Sequence, residues 1–130
     1  MKVVEVAVGV IKQSNEIYIS KRADDLHQGG KWEFPGGKRE ANETIEQALS
    51  RELLEEIGIV VTQQSSFMLI EHDYGDKKVC LDVRLVEAFD GTASHQEGQI
   101  SQWVKIQELP DFTFPDANKV IIQKLMQTYL

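Results

Sequence analysis

The chain has 130 residues, of which 42% are apolar and 27% charged, and its 14 basic and 21 acidic residues leave a net charge of −7. This length and composition are typical of one folded domain over residues 1–130 and argue against a disordered chain. No apolar run approaches the roughly 20 residues of a membrane-spanning helix, so we expect no membrane partner. The acidic balance also argues against long nucleic acid as a partner. The one cysteine, Cys80, excludes an internal disulfide, and we expect a reducing, cytoplasmic location.

The first part of the chain predicts two strands, a loop and a glycine turn. The valine-rich segment Met1–Ile11 is typical of a buried strand, and Glu16–Ser20 alternates as a second strand. The polar segment Lys21–Lys31 is predicted to be a loop. A short extended piece, Trp32–Phe34, leads into Pro35-Gly36-Gly37, where we expect a sharp, irregular backbone.

The strongest predicted helix covers Thr44–Ile57. Thr44 is a suitable N-cap, and Gln47 three residues later completes a capping box. Gly58 suits the left-handed residue that commonly ends a helix. Local signals therefore define both ends of this helix.

The second part of the chain predicts a hairpin, a short strand and a closing helix. Strands are expected over Phe67–His72 and Val79–Phe89, with Gly75-Asp76 as the hairpin turn, and a last strand over Gln102–Ile106. Asp116–Tyr129 has the periodicity of an amphipathic helix. Its side chains expected to face the core are Val120, Ile121, Ile122 and Leu125. Strands interleaved with two helices predict an α/β or α+β sandwich, in which helices cover a mixed sheet.

Three glutamates project from the core-facing side of the first predicted helix. At about 100° per residue, Glu52 and Glu56 fall within the apolar arc and Glu55 lies at its edge. Like charges at this spacing repel by ~0.2–0.5 kcal/mol per pair, and acids in the last turn oppose the helix dipole. A bound Mg²⁺ or Mn²⁺ would compensate, because both prefer oxygen ligands. The alternative is a solvated face that Arg51 and Lys38 neutralise.

The same segment carries a recognisable motif. Gly37, Glu43 and the run Arg51–Ile59 fill every fixed position of the Nudix box, so the chain resembles the Nudix hydrolase superfamily. Further stretches are similar to its MutT branch, namely Val6–Ile11, Lys21–Asp24, Lys31–Lys38 and Phe114–Asn118. The resemblance covers nearly the whole chain. It implies a single Nudix domain with a mixed sheet between helices and the box as a loop–helix–loop.

The resemblance also implies roles for individual residues. The implied ligands of Mg²⁺, with Mn²⁺ as a substitute, are the Gly36 carbonyl, Glu52, Glu55, Glu56 and Glu97. Arg51 would orient the glutamates, and the general base stays open between Glu52 and Glu97. The implied substrate contacts are Arg22 and Lys38 at the phosphates, Phe34 in the base pocket and Asn118 at the purine edge. Asn118 has an alternative role as a cap of the closing helix.

The MutT branch implies hydrolysis of 8-oxo-dGTP to 8-oxo-dGMP and pyrophosphate, by attack of water at the β-phosphorus. This reaction removes a mutagenic nucleotide before it is incorporated, and we expect a monomer acting on a small nucleoside triphosphate. Lys77 or Lys78 stands where an arginine is expected near the base. Alternatives are another Nudix substrate (another nucleoside triphosphate, ADP-ribose or a dinucleotide) and a non-catalytic Nudix-fold binding module. A DNA-repair domain that reads the same lesion in duplex DNA does not suit the net charge.

Overall fold

The computed structural model describes residues 2–24 and 29–130, within which seven strands form a mixed sheet that packs against two α-helices. The strands are β1 (Lys2–Gln13), β2 (Glu16–Lys21), β3 (Trp32–Glu33), β4 (Gly36–Lys38), β5 (Val60–Asp73), β6 (Lys77–Asp90) and β7 (Ser101–Lys105). The helices are α1 (Ile45–Ile57) and α2 (Asp116–Tyr129), with a 3₁₀ turn at Ile106–Asp111. The predicted fold class is confirmed. Met1 and residues 25–28 of the predicted loop, including His27, lie outside the described residues.

Strand β1 is the centre of the sheet. It runs parallel to β6, with Ala7 opposite Asp82, and antiparallel to both β2 and β4. Strand β5 forms the predicted hairpin with β6, and β3 and β7 both pair with β2. No helix among the described residues is long and apolar enough to cross a membrane.

Each face of the sheet carries its own apolar core. Alternate residues of β1 point to opposite faces, so Ala7 and Ile11 pack under α1 while Val8 and Val10 pack under α2. Val120 was wrongly predicted to face inward, since its side chain is 42% exposed. The buried side chains of α2 are Ile121, Ile122 and Leu125. At about 100° per residue their arc leaves Val120 on the outer side of the helix.

The glycine segment differs from its prediction. Gly36–Lys38 is a short strand that pairs with Val6–Val8 instead of an irregular turn. A Cβ atom on Gly36 would lie 2.0 Å from the Ala7 carbonyl oxygen, so the missing side chain lets the two backbones meet. Strand β5 also starts earlier than predicted, at Val60. Its polar first half is held by pairing with β6 across register shifts, which no local pattern predicts.

Helix α1 has the two ends that the sequence predicts. The Thr44 hydroxyl accepts a hydrogen bond from the Gln47 amide at 3.1 Å, and the Gln47 side chain accepts one from the Thr44 amide at 2.8 Å. Gly58 takes a left-handed φ of 73° and its amide donates to the Leu54 carbonyl. These caps fix the point at which the glutamates of the last two turns leave the helix.

We expect Thr44→Ala to lower the free energy of unfolding by about 1 kcal/mol, because the Gln47 amide loses its acceptor. Urea denaturation measures the change. Thr44→Ser keeps the hydroxyl and serves as the matched control, so its stability should stay close to that of the original protein. An equal loss in both variants would show that the methyl group of Thr44, and not the cap, stabilises the helix.

Candidate active site

Carboxylates from three parts of the fold line one cavity of about 220 Å³. We call it the acid cavity. Its lining residues are Glu33, Glu52, Glu55, Glu56, His95, Glu97 and Gln99. Helix α1 contributes three of the glutamates, β3 contributes one, and the loop before β7 contributes the rest. The four glutamates predicted as metal ligands therefore lie together, while their role as ligands stays a prediction.

The glycine strand β4 lies directly against the glutamates of α1. A Cβ atom on Gly37 would come within 2.4 Å of the Glu52 carboxyl carbon, so a side chain there would displace this carboxylate. The backbone amide of Gly36 donates a hydrogen bond to the Glu56 carboxylate. The glycines therefore let β4 lie close to the acids, while the role of the Gly36 carbonyl as a metal ligand stays a prediction.

Arg51 is the cation that orders one side of the acid cavity. Its guanidinium contacts Glu43 through two nitrogens, at 2.8 and 3.1 Å, and donates to Glu52 at 2.9 Å. It also donates to the backbone carbonyl of Lys38 at 3.1 Å. The hydrogen bonds from Arg51 lower the pKa of Glu43 to about 2, with the Glu40 amide contributing next. Glu43 thus anchors Arg51, and Arg51 fixes the direction of the Glu52 carboxylate.

Glu56 carries the electrostatic cost of the cluster. Burial raises its pKa to about 7 from an ordinary value of 4.5, and the negative charges of Glu33, Glu52 and Glu97 add to the shift. Among residues 2–24 and 29–130, no salt bridge reaches Glu56. The alternative of a face neutralised by Arg51 and Lys38 therefore does not describe this part of the cavity.

The donor set fits a hard divalent cation. Five carboxylates meet in one cavity with two neighbouring guanidiniums, those of Arg51 and Arg22, and oxygen-rich, net-negative sites of this kind suit Mg²⁺ or Mn²⁺. In the part of the chain that the structure describes, no three acidic, histidine or cysteine side chains already enclose a point where an ion would sit. The fit therefore rests on the number and type of donors and on the raised pKa of Glu56.

A second cavity of about 540 Å³ adjoins the first. We call it the nucleotide cavity. All four predicted substrate residues line it: Arg22, Phe34, Lys38 and Asn118. Phe34 is 5% exposed and stacks on Phe114, with ring centroids 5.1 Å apart. The remaining wall is apolar, from Val6, Val8, Val79, Leu81 and Pro115. Polar groups at the rim of an apolar cleft are typical of a small-molecule site.

Asn118 lies in the first turn of α2 and does not cap it. The N-cap position is Pro115, whose carbonyl accepts a hydrogen bond from the Asn118 amide at 2.9 Å. The capping role considered from the sequence is therefore excluded. The side chain lines the nucleotide cavity instead.

Sequence reasoning missed Glu33 as a site residue. It lines both cavities, and its carboxylate accepts a hydrogen bond from Arg22 Nη1 at 2.7 Å. A charged residue between Trp32 and Phe34, directly before the glycine strand, was the available signal. Sequence reasoning did not single out His95 either. It lines the acid cavity, and its Nδ1 accepts a hydrogen bond from the Glu97 amide at 3.2 Å.

Lys77 and Lys78, one of which was expected near the base, lie on the β5–β6 hairpin. Lys78 forms a salt bridge with Glu71, and Lys77 Nζ lies 5.7 Å from the centre of the Tyr74 ring. The described lining of the nucleotide cavity includes neither lysine.

Known proteins resemble this chain over its whole length. A profile of the NUDIX domain matches residues 6–124. The 8-oxo-dGTP diphosphatase of Escherichia coli is 44% identical over 126 residues, which cover 96% of this chain and 98% of that protein. The CTP pyrophosphohydrolase of the same organism is 31% identical over 126 residues, covering 97% of this chain and 93% of that protein.

A solved structure agrees with these sequence matches. A MutT structure, from a study of the Aliivibrio salmonicida and Vibrio cholerae proteins, superposes with a TM-score of 0.89 at 42% identity. The match covers 98% of this chain and all of that one. The carboxylate-lined helix end, the glycine strand beside it and the full-length matches lead to one conclusion: the chain belongs to the Nudix hydrolase family.

Proposed function

We propose that this protein hydrolyses 8-oxo-dGTP to 8-oxo-dGMP and pyrophosphate, and so removes an oxidised nucleotide before a polymerase can incorporate it. The observation that carries the proposal is that the two cavities share a lining residue. A carboxylate-lined cavity suited to phosphoanhydride chemistry shares Glu33 with a largely apolar cavity that Asn118 also lines. Relatives over the full length bear the name of this activity. We further propose that the protein acts as a monomer in the cytoplasm.

The acid cavity would hold Mg²⁺, with Mn²⁺ as a substitute. Its ligands would be Glu52, Glu55, Glu56, Glu97 and the Gly36 carbonyl. When bound, the ion neutralises phosphate charge and makes a nearby water more acidic. Arg51 keeps the Glu52 carboxylate directed into the cavity through their 2.9 Å hydrogen bond.

The remaining residues position the nucleotide and move the proton. Arg22 and Lys38 would contact the phosphate chain at the rim of the nucleotide cavity, with Phe34 as the wall behind the base. Glu52 or Glu97 would take the proton from the water that attacks the β-phosphorus. The phosphoanhydride bond then breaks and releases 8-oxo-dGMP and pyrophosphate. Because phosphoryl transfer depends mainly on positioning and electrostatic stabilisation, the fixed carboxylates are the central feature of this mechanism.

A substrate panel tests the proposal. The purified protein is offered 8-oxo-dGTP, dGTP, CTP and ADP-ribose, with and without Mg²⁺, and pyrophosphate release is measured. We expect the highest kcat/KM for 8-oxo-dGTP and no turnover with EDTA. A higher kcat/KM for CTP would instead favour the activity that names the relative at 31% identity.

We expect Glu52→Gln to lower kcat by at least about 10²-fold if Glu52 is the general base, because such bases typically contribute ~10²–10⁴-fold. Glu97→Gln is measured beside it, and the larger loss identifies the base. Glu46→Gln changes an exposed acid of the same helix outside the cavity and should retain full activity. Near-normal turnover of Glu52→Gln would remove Glu52 both as base and as essential ligand.

We expect Asn118→Ala to narrow the preference for 8-oxo-dGTP over dGTP. An 8-oxo purine carries a proton on N7, where guanine has a lone pair, and an amide can accept from N7–H while it donates to O6. The ratio of the two kcat/KM values measures the preference. Gln127→Ala removes an exposed amide from the other end of α2 and is the control. An unchanged ratio in Asn118→Ala would contradict the assigned role.

We expect Glu56→Gln to stabilise the metal-free protein at pH 8. The folded pKa of about 7 lies above the ordinary 4.5, so the folded state holds a proton that the unfolded state releases. Stability is therefore lost as the pH rises from about 4.5 through 7. The substitution should restore on the order of 1–3 kcal/mol at pH 8 and very little at pH 4.5.

Denaturation in EDTA at the two pH values measures this difference. Glu55→Gln is the matched control, because its side chain is exposed on the same helix turn. A Glu56→Gln protein that is less stable than the original at pH 8 would show that the carboxylate is compensated without a metal ion.

A further inference from the structure

Glu33 is the one acid that both cavities share among the described residues. Its carboxylate accepts a hydrogen bond from Arg22 Nη1 at 2.7 Å, and the two side chains are only 24% and 31% exposed. Under the proposed function, Arg22 contacts the phosphates of the nucleotide. A phosphate group and the Glu33 carboxylate then compete for the same guanidinium, because both are anions that arginine binds through its N–H groups.

The charge of Glu33 also reaches the acid cavity. Among the neighbouring carboxylates, it contributes most to the raised pKa of Glu56. Glu33 therefore lies between a cation on one side and the metal-ligand candidates on the other. In the structure it accepts its hydrogen bond from the cation, Arg22.

Ser20 is the residue that pairs with Glu33 on the neighbouring strand. It lies directly opposite Glu33 in the pairing of β2 with β3, so the two side chains extend from the same face of the sheet. Ser20 is fully buried, and its hydroxyl finds no hydrogen-bond partner among the described residues. Buried hydroxyls nearly always have a partner, so this one calls for an acceptor that arrives in another state.

Ser20 lies on the face of the sheet that packs against α1, the helix that carries three of the glutamates, because alternate residues of β2 share a face and Tyr18 belongs to the core under that helix. Tyr18, two residues earlier on the same face of β2, donates to the Ser101 hydroxyl at 2.6 Å. Burial raises the pKa of the Tyr18 phenol, and the charge of Glu56 adds to that shift. A Glu33 carboxylate that turned towards Ser20 would therefore stay on the side of the sheet where α1 carries its glutamates.

We propose that Glu33 is a positioning residue that couples the two cavities. When a nucleotide phosphate takes over Arg22, the Glu33 carboxylate, which already lines the acid cavity, leaves the guanidinium, accepts a hydrogen bond from Ser20 and becomes available to a cation there. Nucleotide binding thereby strengthens divalent-cation binding, and cation binding strengthens nucleotide binding by the same factor. The inference rests on the proposed function for the contact between Arg22 and phosphate.

Calorimetry on Glu33→Gln separates this coupling from a structural role. In EDTA, the variant should bind inorganic tripolyphosphate and 8-oxo-dGMP more tightly than the original protein, because Arg22 has lost its competing carboxylate. The affinity for Mn²⁺, measured by electron paramagnetic resonance, should increase less on addition of 8-oxo-dGMP. We expect this increase to fall by at least about fivefold relative to the original protein, the lower end of typical coupling factors.

Ser20→Ala tests the second position of the carboxylate. It should leave tripolyphosphate affinity in EDTA unchanged, reduce the nucleotide-dependent gain in Mn²⁺ affinity, and leave the metal-free protein at least as stable as before. Glu46→Gln is the control for a lost acid outside both cavities and should change none of these quantities.

The proposal is supported if Glu33→Gln binds tripolyphosphate more tightly in EDTA and also shows a smaller nucleotide-dependent gain in Mn²⁺ affinity. Weaker tripolyphosphate binding in EDTA, an unchanged Mn²⁺ gain, or no binding of either phosphate probe to the original protein would overturn it. A wrong substrate assignment would give a different result, because 8-oxo-dGMP would then bind no better than dGMP. The measurement of tripolyphosphate affinity in Glu33→Gln would still decide the role of Glu33.

Discussion

The mutual repulsion of carboxylates in one partly buried cavity is the constraint on which the rest of this site depends. Five acids share that cavity. Arg51 donates to Glu52 and lies 3.5 Å from the Glu55 carboxylate, and Arg22 donates to Glu33. Glu56, partly buried and without a salt-bridge partner among the described residues, bears the cost as a pKa raised to about 7. An arrangement that lowers stability persists where it serves function, and here a divalent cation is the partner that would relieve it.

The fold imposes this crowding through close backbone approach. The capped helix α1 ends beside β4, a strand that can pair with β1 only because Gly36 has no side chain. Gly37 then leaves room for the Glu52 carboxylate. On the opposite side, β3 places Glu33 against both the acid cavity and the nucleotide cavity. The two halves of the site are thus joined by backbone pairing, which keeps phosphate contacts and carboxylates at a fixed separation.

Features that depend on local signals could be predicted from the sequence. The prediction of helix α1 was correct at both ends because its capping box and its terminal glycine lie within the segment itself. The clustering of the acids on its inner side followed from helical periodicity. The resemblance to a known family supplied the residues of the nucleotide cavity, including Arg22 and Asn118, which lie far apart in the sequence.

Features that depend on long-range pairing could not be predicted in this way. The polar start of β5 is a strand because β6 lies beside it, and the glycine segment is a strand because β1 does. Glu33 was not predicted as a site residue for the same reason. Its position is defined by Ser20 on the neighbouring strand β2 and by Arg22, which directly follows that strand. The prediction for Val120 was wrong for a different reason. Val120 is apolar and lies next to the buried arc of α2, but it belongs to the exposed side of the helix.

The most direct test is a crystal structure grown with Mn²⁺ and 8-oxo-dGMP, with diffraction recorded at the manganese absorption edge. We expect an anomalous peak inside the acid cavity, in contact with Glu52 and Glu56. Nucleotide density in the neighbouring cavity, with no anomalous peak beside those two carboxylates, would contradict this expectation.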